Sequence, residues 1–154
     1  MAGGVKIIDQ AVKTTGDLDV GGAIKNPSIN RAAHTDFTAG SDTATIAQVL
    51  TGILEADSAA QITWTLPTAA LAVAGIANVS IGDCIEFSVI NTSTAGTEEE
   101  ITVAMGTGGT ALGNMVVPGG DTTHDADKSG SGLFRIRFTG VAAGSEAYHC
   151  YRIA

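Results

Sequence analysis

The strongest candidate for chemistry is a polar stretch, residues 121–130, that combines carboxylates, hydroxyls and a histidine. Asp125, Asp127 and Ser129 alternate and a glycine follows, as in the first half of a calcium loop with its oxygen ligands at alternate positions. The second half departs from that pattern, because the twelfth position is Ile136 where a bidentate glutamate is needed. We therefore interpret the stretch as a solvated surface loop, with Asp125, Asp127 and Ser129 as weak metal-ligand candidates.

Other combinations of reactive side chains are less complete. His34, His124 and His149 show no spacing such as His-x-x-x-His, so a fixed four-ligand metal site is not indicated. Cys84 and His149 could supply a nucleophile and a base, but both fall inside predicted strands and outside any recognisable catalytic pattern. Residues 106–110 are glycine-rich like a phosphate loop, yet no Lys-Ser/Thr pair follows them. We therefore expect neither enzymatic activity nor a cofactor.

Composition and charge limit what the protein can bind. The 154-residue chain carries 16 acidic and 8 basic residues, for a formal net charge of −8, and has no basic run. Nucleic-acid binding requires clustered Lys and Arg that displace counterions from phosphate, so we expect no nucleic-acid partner. No apolar run approaches the ~20 residues that span a membrane, and the N-terminus lacks a signal-peptide pattern. We expect synthesis in a cytoplasm and no membrane association.

Alternating apolar and polar residues predict the main elements. Ile85, Phe87 and Val89 fall on one face of an extended chain, while Cys84 and Glu86 fall on the other. The same period predicts strands at residues 62–66, 101–105, 111–117, 133–138 and 148–153. In the strand at 133–138, the apolar residues Phe134, Ile136 and Phe138 are expected to face the core, and Arg135 and Arg137 to face away from it. Turn signals separate these strands, which is typical of an all-β fold. We predict an antiparallel β-sandwich, jelly-roll-like in its connections.

Two short helices are expected beside the strands. Thr45 and Gln48 have the spacing of a capping box, and an apolar helical face follows until Gly52. Thr68 has the type and position of a second helix cap, in a run of small apolar residues that ends at Gly75. Both helices are predicted to lie at the ends of the sandwich.

Three residues of special type lie in the predicted strands. Trp64 is expected to pack in the core or in a subunit interface, and a sugar-stacking platform is the alternative. Cys84 and Cys150 do not make a disulfide framework, and a reducing cytoplasm disfavours a bridge between them. We predict that both thiols are free, buried and structural.

The first 44 residues differ from the rest because glycines and a proline interrupt short apolar clusters. Such a segment is either a frayed tail or an arm that becomes ordered on a neighbouring subunit. The apolar clusters favour the arm. We predict an extended N-terminal arm over residues 1–44 and a β-sandwich domain over residues 45–154. The expected capsid or subunit contacts of the arm are Val5, Ile7, Ile8, Leu18 and Val20.

From Leu66 onward the chain resembles small virion proteins of tailed bacteriophages. The resemblance lies in the order and spacing of residues 66–70, 78–83, Phe87 with 89–91, 106–110, and 137–141 before 144–147. It extends over residues 45–154 and leaves the arm uncovered. Residues 119–132 are longer and more acidic than the corresponding part of that pattern.

The resemblance implies a structural component outside the major capsid shell, namely a decoration (cement) protein or a head-fibre component, often trimeric. Its implied partners are further copies of itself and the major capsid protein, and its implied location is the capsid exterior. Two alternatives stand beside a capsid decoration protein. One is a head-fibre or tail-fibre component, or receptor-binding module, that recognises a host surface glycan. The other is a hydrolase of envelope polysaccharide, which needs a pair of facing carboxylates that the sequence does not indicate.

Overall fold

The computed structural model describes residues 35–36, 40–58, 60–93, 99–119 and 130–154. Ala32–Ala154 forms one compact unit, and the fold is mostly β with two short helices, as expected. The strands are β1 Thr35–Asp36, β2 Asp42–Thr43, β3 Ile53–Ala56, β4 Ile62–Thr65, β5 Cys84–Asn91, β6 Ile101–Ala104, β7 Gly109–Leu112, β8 Val116–Val117, β9 Ser131–Gly140 and β10 Ala147–Arg152. The helices are α1 Ile46–Val49 and α2 Ala69–Ala74.

The strands form two sheets, and the chain alternates between them. Sheet A has six strands in the order β1-β3-β5-β9-β10-β7, and sheet B has four in the order β2-β4-β6-β8. From β1 to β9, each odd-numbered strand joins sheet A and each even-numbered strand joins sheet B. The chain therefore winds from one sheet to the other. In sheet B each return adds a strand beside the previous one, whereas in sheet A β9 lies beside β5, and β7 lies at the far edge beside β10.

This winding makes both sheets mixed, which corrects the expected antiparallel, jelly-roll-like pairing. The pairs β1–β3, β3–β5, β2–β4, β4–β6 and β7–β10 are parallel. Only β5–β9, β9–β10 and β6–β8 are antiparallel. Parallel neighbours need a long crossover, and here a strand of the opposite sheet lies within most of these connections. The two-residue period of a strand fixes which side chains face the core, but it does not fix the direction of the neighbouring strand.

Both predicted helices begin directly after the threonines that were predicted to cap them, Thr45 and Thr68. Thr45 Oγ1 accepts the backbone N–H of Gln48 at 3.2 Å, and Gln48 Oε1 accepts the backbone N–H of Thr45 at 2.8 Å, which completes the capping box. Thr68 Oγ1 accepts the N–H of Leu71 at 3.3 Å, and α2 ends at Gly75. The cap residues satisfy backbone groups that the first helical turn leaves unpaired.

The weak strand predicted at residues 111–117 is two strands in different sheets. β7 belongs to sheet A and β8 to sheet B, with Gly113 between them at φ +104°. That backbone conformation is accessible to glycine at low cost, so the chain turns out of one sheet and into the other there. The apolar residues of this segment predict extended chain, but they do not predict that the chain changes sheet at Gly113.

One hydrophobic core contains buried side chains from both sheets and both helices. Phe87 and Phe134 stack with ring centroids 5.5 Å apart, and Trp64 of sheet B is 1% exposed. Trp64 is therefore a core residue and not an exposed sugar-stacking platform. Phe134, Ile136 and Phe138 of β9 also face this core, as their spacing predicts.

The two sheets also include residues that the sequence assigns to the arm. β1 pairs with β3, β2 pairs with β4, and Ala44 is buried. The chain is thus already part of both sheets before the predicted boundary at residue 45. Val5, Ile7, Ile8, Leu18 and Val20 lie outside the described residues.

Candidate interaction surface

The reactive side chains singled out in the sequence fall into two groups, one outside the described residues and one in sheet A. Asp125, Asp127 and Ser129 lie outside the described residues, so the calcium-like loop stays a weak candidate. Cys84 and His149 lie in sheet A, each directly across from Arg137 on the strand between them. The two are therefore separated by a whole strand and form no nucleophile–base hydrogen bond. Cys84 is exposed, which corrects the prediction that both thiols are buried; Cys150 is buried, and both cysteines are free.

Cys84 and His149 belong to the side of sheet A that faces away from the core, which we call the outer face. Residues directly paired across a sheet share a face, so the strand register orders its side chains into rows. Beyond a first row of Glu55, Ile90 and Ser131, three further rows cross this face at intervals of two residues along β9. From one end to the other they are an apolar row, an ion-pair row and a basic row.

The apolar row consists of Ile53, Ser88, Leu133 and Ile153. Ser88 is opposite Ile53 on one side and Leu133 on the other. Ile153 donates its backbone N–H to the Leu133 carbonyl at 2.8 Å, which places it at the end of the row. Ile53 and Ile153 are 44% and 47% exposed, so the row leaves large aliphatic side chains in contact with water. Aliphatic side chains aligned in this way on an open sheet face offer apolar surface that another protein segment can cover.

The ion-pair row contains Glu86, Arg135, Tyr151 and Leu112. Arg135 Nε donates to Glu86 Oε1 at 2.9 Å, and Nη2 donates to the same oxygen. The hydrogen bond and the charge of Glu86 both raise the pKa of Arg135. Because both side chains are about half exposed, this pair contributes little to stability and mainly fixes the orientation of the guanidinium.

The basic row contains Cys84, Arg137, His149 and Thr110. Here the position that Glu86 holds in the previous row is occupied by Cys84, and Arg137 makes no ion pair with any described residue. His149 Nδ1 lies 3.5 Å from the Tyr151 hydroxyl, and the two rings meet edge to face with centroids 6.2 Å apart. An anionic group placed over this row can accept hydrogen bonds from a guanidinium whose charge is not already paired within the described chain.

A groove of about 330 Å³ opens beside the apolar row. Its lining is Ser88, Ile90, Ser131, Gly132, Leu133, Arg152 and Ala154. The Arg152 guanidinium lies 5.1 Å above the Phe134 ring and donates to the carbonyl oxygens of Val116 at 3.0 Å and Ser131 at 3.2 Å. Partial burial lowers the pKa of Arg152. Its hydrogen bonds thus join β8 of sheet B to the start of β9 in sheet A. The Arg152 guanidinium therefore has a structural role.

Sequence reasoning located only part of this surface. It placed Arg135 and Arg137 away from the core, but it did not pair Arg137 with Cys84 or align Ile53 with Leu133. The available signal was the two-residue period of β5 and β9, which gives the face of each side chain. Row membership depends on register, which turns and neighbouring strands determine.

Within residues 106–110, a tight turn at residues 106–108 packs against the start of α2 and leads directly into β7. A Cβ at Gly106 would lie 2.5 Å from the Leu66 carbonyl oxygen, and Thr107 O accepts the Ala69 N–H at 2.8 Å. The glycines therefore permit close backbone packing. In the described part of the chain, no three His, Cys, Asp or Glu residues cluster as a metal site, and no helix is long and apolar enough to cross a membrane.

No protein family matches this chain, and no curated protein or solved structure is detectably similar to it.

Proposed function

We propose that this protein is a non-enzymatic virion structural protein that decorates or cements the outer surface of a tailed-phage capsid. It bridges capsomers as a homotrimer, with the major capsid protein and its own copies as partners. The observation that carries this proposal is the apolar row, in which Ile53 and Ile153 are about half exposed on a sheet face. A lattice-bound trimer buries such a row against protein. The motif order over residues 45–154 supports the virion assignment.

The arm supplies the second set of contacts in this proposal. Val5, Ile7, Ile8, Leu18 and Val20 provide the apolar side chains that dock on the capsid or on a neighbouring subunit. Ordering a chain costs ~1–2 kcal/mol per backbone residue, so these contacts must offset the entropy lost on docking. A trimer presents three arms at once, and such multivalency strengthens contacts that are individually weak.

We also propose that sheets A and B face each other as the two layers of a β-sandwich. The support is the single core that contains side chains of both sheets, including Trp64 of β4 and Phe87 of β5. Layered sheets that bury their inner faces are a standard solution for a domain of this size.

The oligomer is tested first. Light scattering on the full-length chain is expected to give the mass of a homotrimer across micromolar concentrations. A monomer over that range would contradict the trimer.

Capsid attachment is tested with particles that lack the protein. A full-length variant with Val5, Ile7, Ile8, Leu18 and Val20 changed to Ser is expected to stay folded by circular dichroism and to bind far more weakly than the unmodified chain. The matched control changes Val12 and Ile24, two other apolar residues before β1, to Ser and should bind normally. Equal binding by all three proteins would show that attachment does not use the arm. If none of the three binds such particles, the capsid assignment fails.

A further inference from the structure

The outer face of sheet A has an apolar row and a basic row on either side of the ion-pair row. Neighbouring rows are separated by two residues along a strand, or about 7 Å. A chain lying along the ion-pair row therefore has aliphatic side chains within reach on one flank. On the other flank it meets Arg137 and His149.

Two of the three Lys or Arg residues of the described chain lie on this face. The three are Arg135, Arg137 and Arg152, all on β9 and β10. Arg135 is paired with Glu86, and Arg152 donates to backbone carbonyls. Arg137 is the one whose guanidinium has neither an ion pair nor a hydrogen bond to another described residue. In a protein of net charge −8, an acidic segment of the same sequence is a complementary ligand for it.

Residues 17–20 have the matching pattern, with Asp17 and Asp19 alternating with Leu18 and Val20. An extended chain sends successive side chains to opposite sides. When such a segment runs along the ion-pair row with its side chains parallel to the sheet, its carboxylates extend over the basic row. Its two aliphatic side chains then extend over the apolar row.

The length of the connecting chain permits this contact. Fifteen residues lead from Val20 to Thr35, where β1 begins at the edge of sheet A. Fully extended, they span roughly 50 Å. That reach is sufficient to cross from one copy of this small domain onto the sheet of the next.

We propose that residues 17–20 of a neighbouring copy dock across the outer face of sheet A, with their carboxylates at Arg137 and His149 and their aliphatic side chains against Leu133 and Ile153. This inference rests on the proposed homotrimer, for which it supplies a specific subunit contact. It also gives Arg137 a role that neither the core nor the ion pairs of the described chain explain.

The exposed thiol of Cys84 beside Arg137 provides a test in the full-length protein. A Gly21→Cys variant places a second thiol next to the docking segment and keeps all four contact residues. Mild oxidation is expected to produce disulfide-linked chains on a non-reducing gel, with residues 21 and 84 joined by peptide mapping. Adding Arg137→Glu should slow this cross-link about tenfold, and Asp17→Lys with Asp19→Lys should restore it.

The matched control moves the target thiol elsewhere on the surface. Cys84→Ser with Leu71→Cys presents an exposed thiol on α2, and Gly21→Cys should not cross-link to it preferentially. Equal cross-linking to both positions, or a disulfide within one chain, would overturn the proposal. So would insensitivity to Arg137→Glu. Light scattering on the unmodified protein separates the two ideas: a trimer without the cross-link rejects only the docking site, whereas a monomer rejects the homotrimer itself.

Discussion

The guanidinium of Arg152 occupies the space that a side chain at position 132 would need. A Cβ at Gly132 would lie 2.7 Å from Arg152 Cζ and 2.9 Å from Phe134 Cε2. The same guanidinium donates to the carbonyl oxygens of Val116 in sheet B and Ser131 in sheet A. Glycine at 132 is therefore a packing requirement of the arginine that connects the two sheets.

Gly132→Ala is expected to destabilise the protein by about 1–3 kcal/mol, because the added methyl group displaces Arg152. Chemical denaturation of the full-length chain measures the change. The control is a double-mutant cycle with Arg152→Ala, in which Gly132→Ala should cost clearly less once the guanidinium is gone. Strict additivity of the two substitutions would contradict the steric link.

Tyr148→Phe is expected to cost about 1–3 kcal/mol of unfolding free energy. The buried Tyr148 hydroxyl donates to the Pro67 carbonyl oxygen at 3.0 Å, and its loss leaves that acceptor unpaired in the core. Urea denaturation measures the effect. Tyr151→Phe on the outer face is the matched control and should change stability by less than about 0.5 kcal/mol. Similar losses for the two variants would argue against a special role for the buried hydrogen bond.

Stability is expected to fall at alkaline pH. Burial raises the pKa of Tyr148 from 10.0 to about 12 and that of Cys150 from 9.0 to about 12. The folded state thus keeps protons that the unfolded state releases. The stability that these two groups contribute is therefore fully present below pH 9 and is lost progressively between about pH 9 and 12. Denaturation midpoints from pH 8 to 11 measure the decline. Cys150→Ala should start from lower stability but decline less between pH 9 and 10, and parallel curves for the two proteins would refute the assignment to this thiol.

The two thiols are expected to differ in reactivity. Cys84 is exposed and Cys150 is buried, so a thiol reagent should modify one cysteine per native chain and two after denaturation without reductant. Cys84→Ser should abolish the native reaction, and Cys150→Ala should leave it unchanged. Two fast-reacting thiols in the native protein would be inconsistent with the burial of Cys150.

Local chemistry allowed both helices and the strands β4, β5, β6, β9 and β10 to be predicted, but not the short strands β1, β2 and β3. The capping residues Thr45 and Thr68 each specify a helix start, because their side chains accept N–H groups of the first turn. Alternation along β5 and β9 correctly separated Phe87 and Phe134 from Glu86 and Arg135. These are properties of short stretches, which the sequence determines directly.

The arrangement of the elements was less predictable. The parallel direction of β3 and β5 depends on the chain passing through sheet B between them, and no local pattern records that path. The exposure of Cys84 has the same origin. Its position in a strand was correct, but its small apolar side chain suggested burial, while the period of the strand assigns it to the face that the core does not cover. The rows of the outer face likewise depend on register across four strands.

The position of β10 has a consequence for how the protein is made. This last strand lies between β9 and β7, so β7 has no neighbour in sheet A until residues 147–152 have been synthesised. Tyr148 and Cys150, which are fully buried, also belong to this strand. Until residues 147–152 have left the ribosome, the nascent chain therefore cannot complete sheet A or close its core. Chains truncated before β10 should therefore expose apolar core surface that chaperones and proteases recognise.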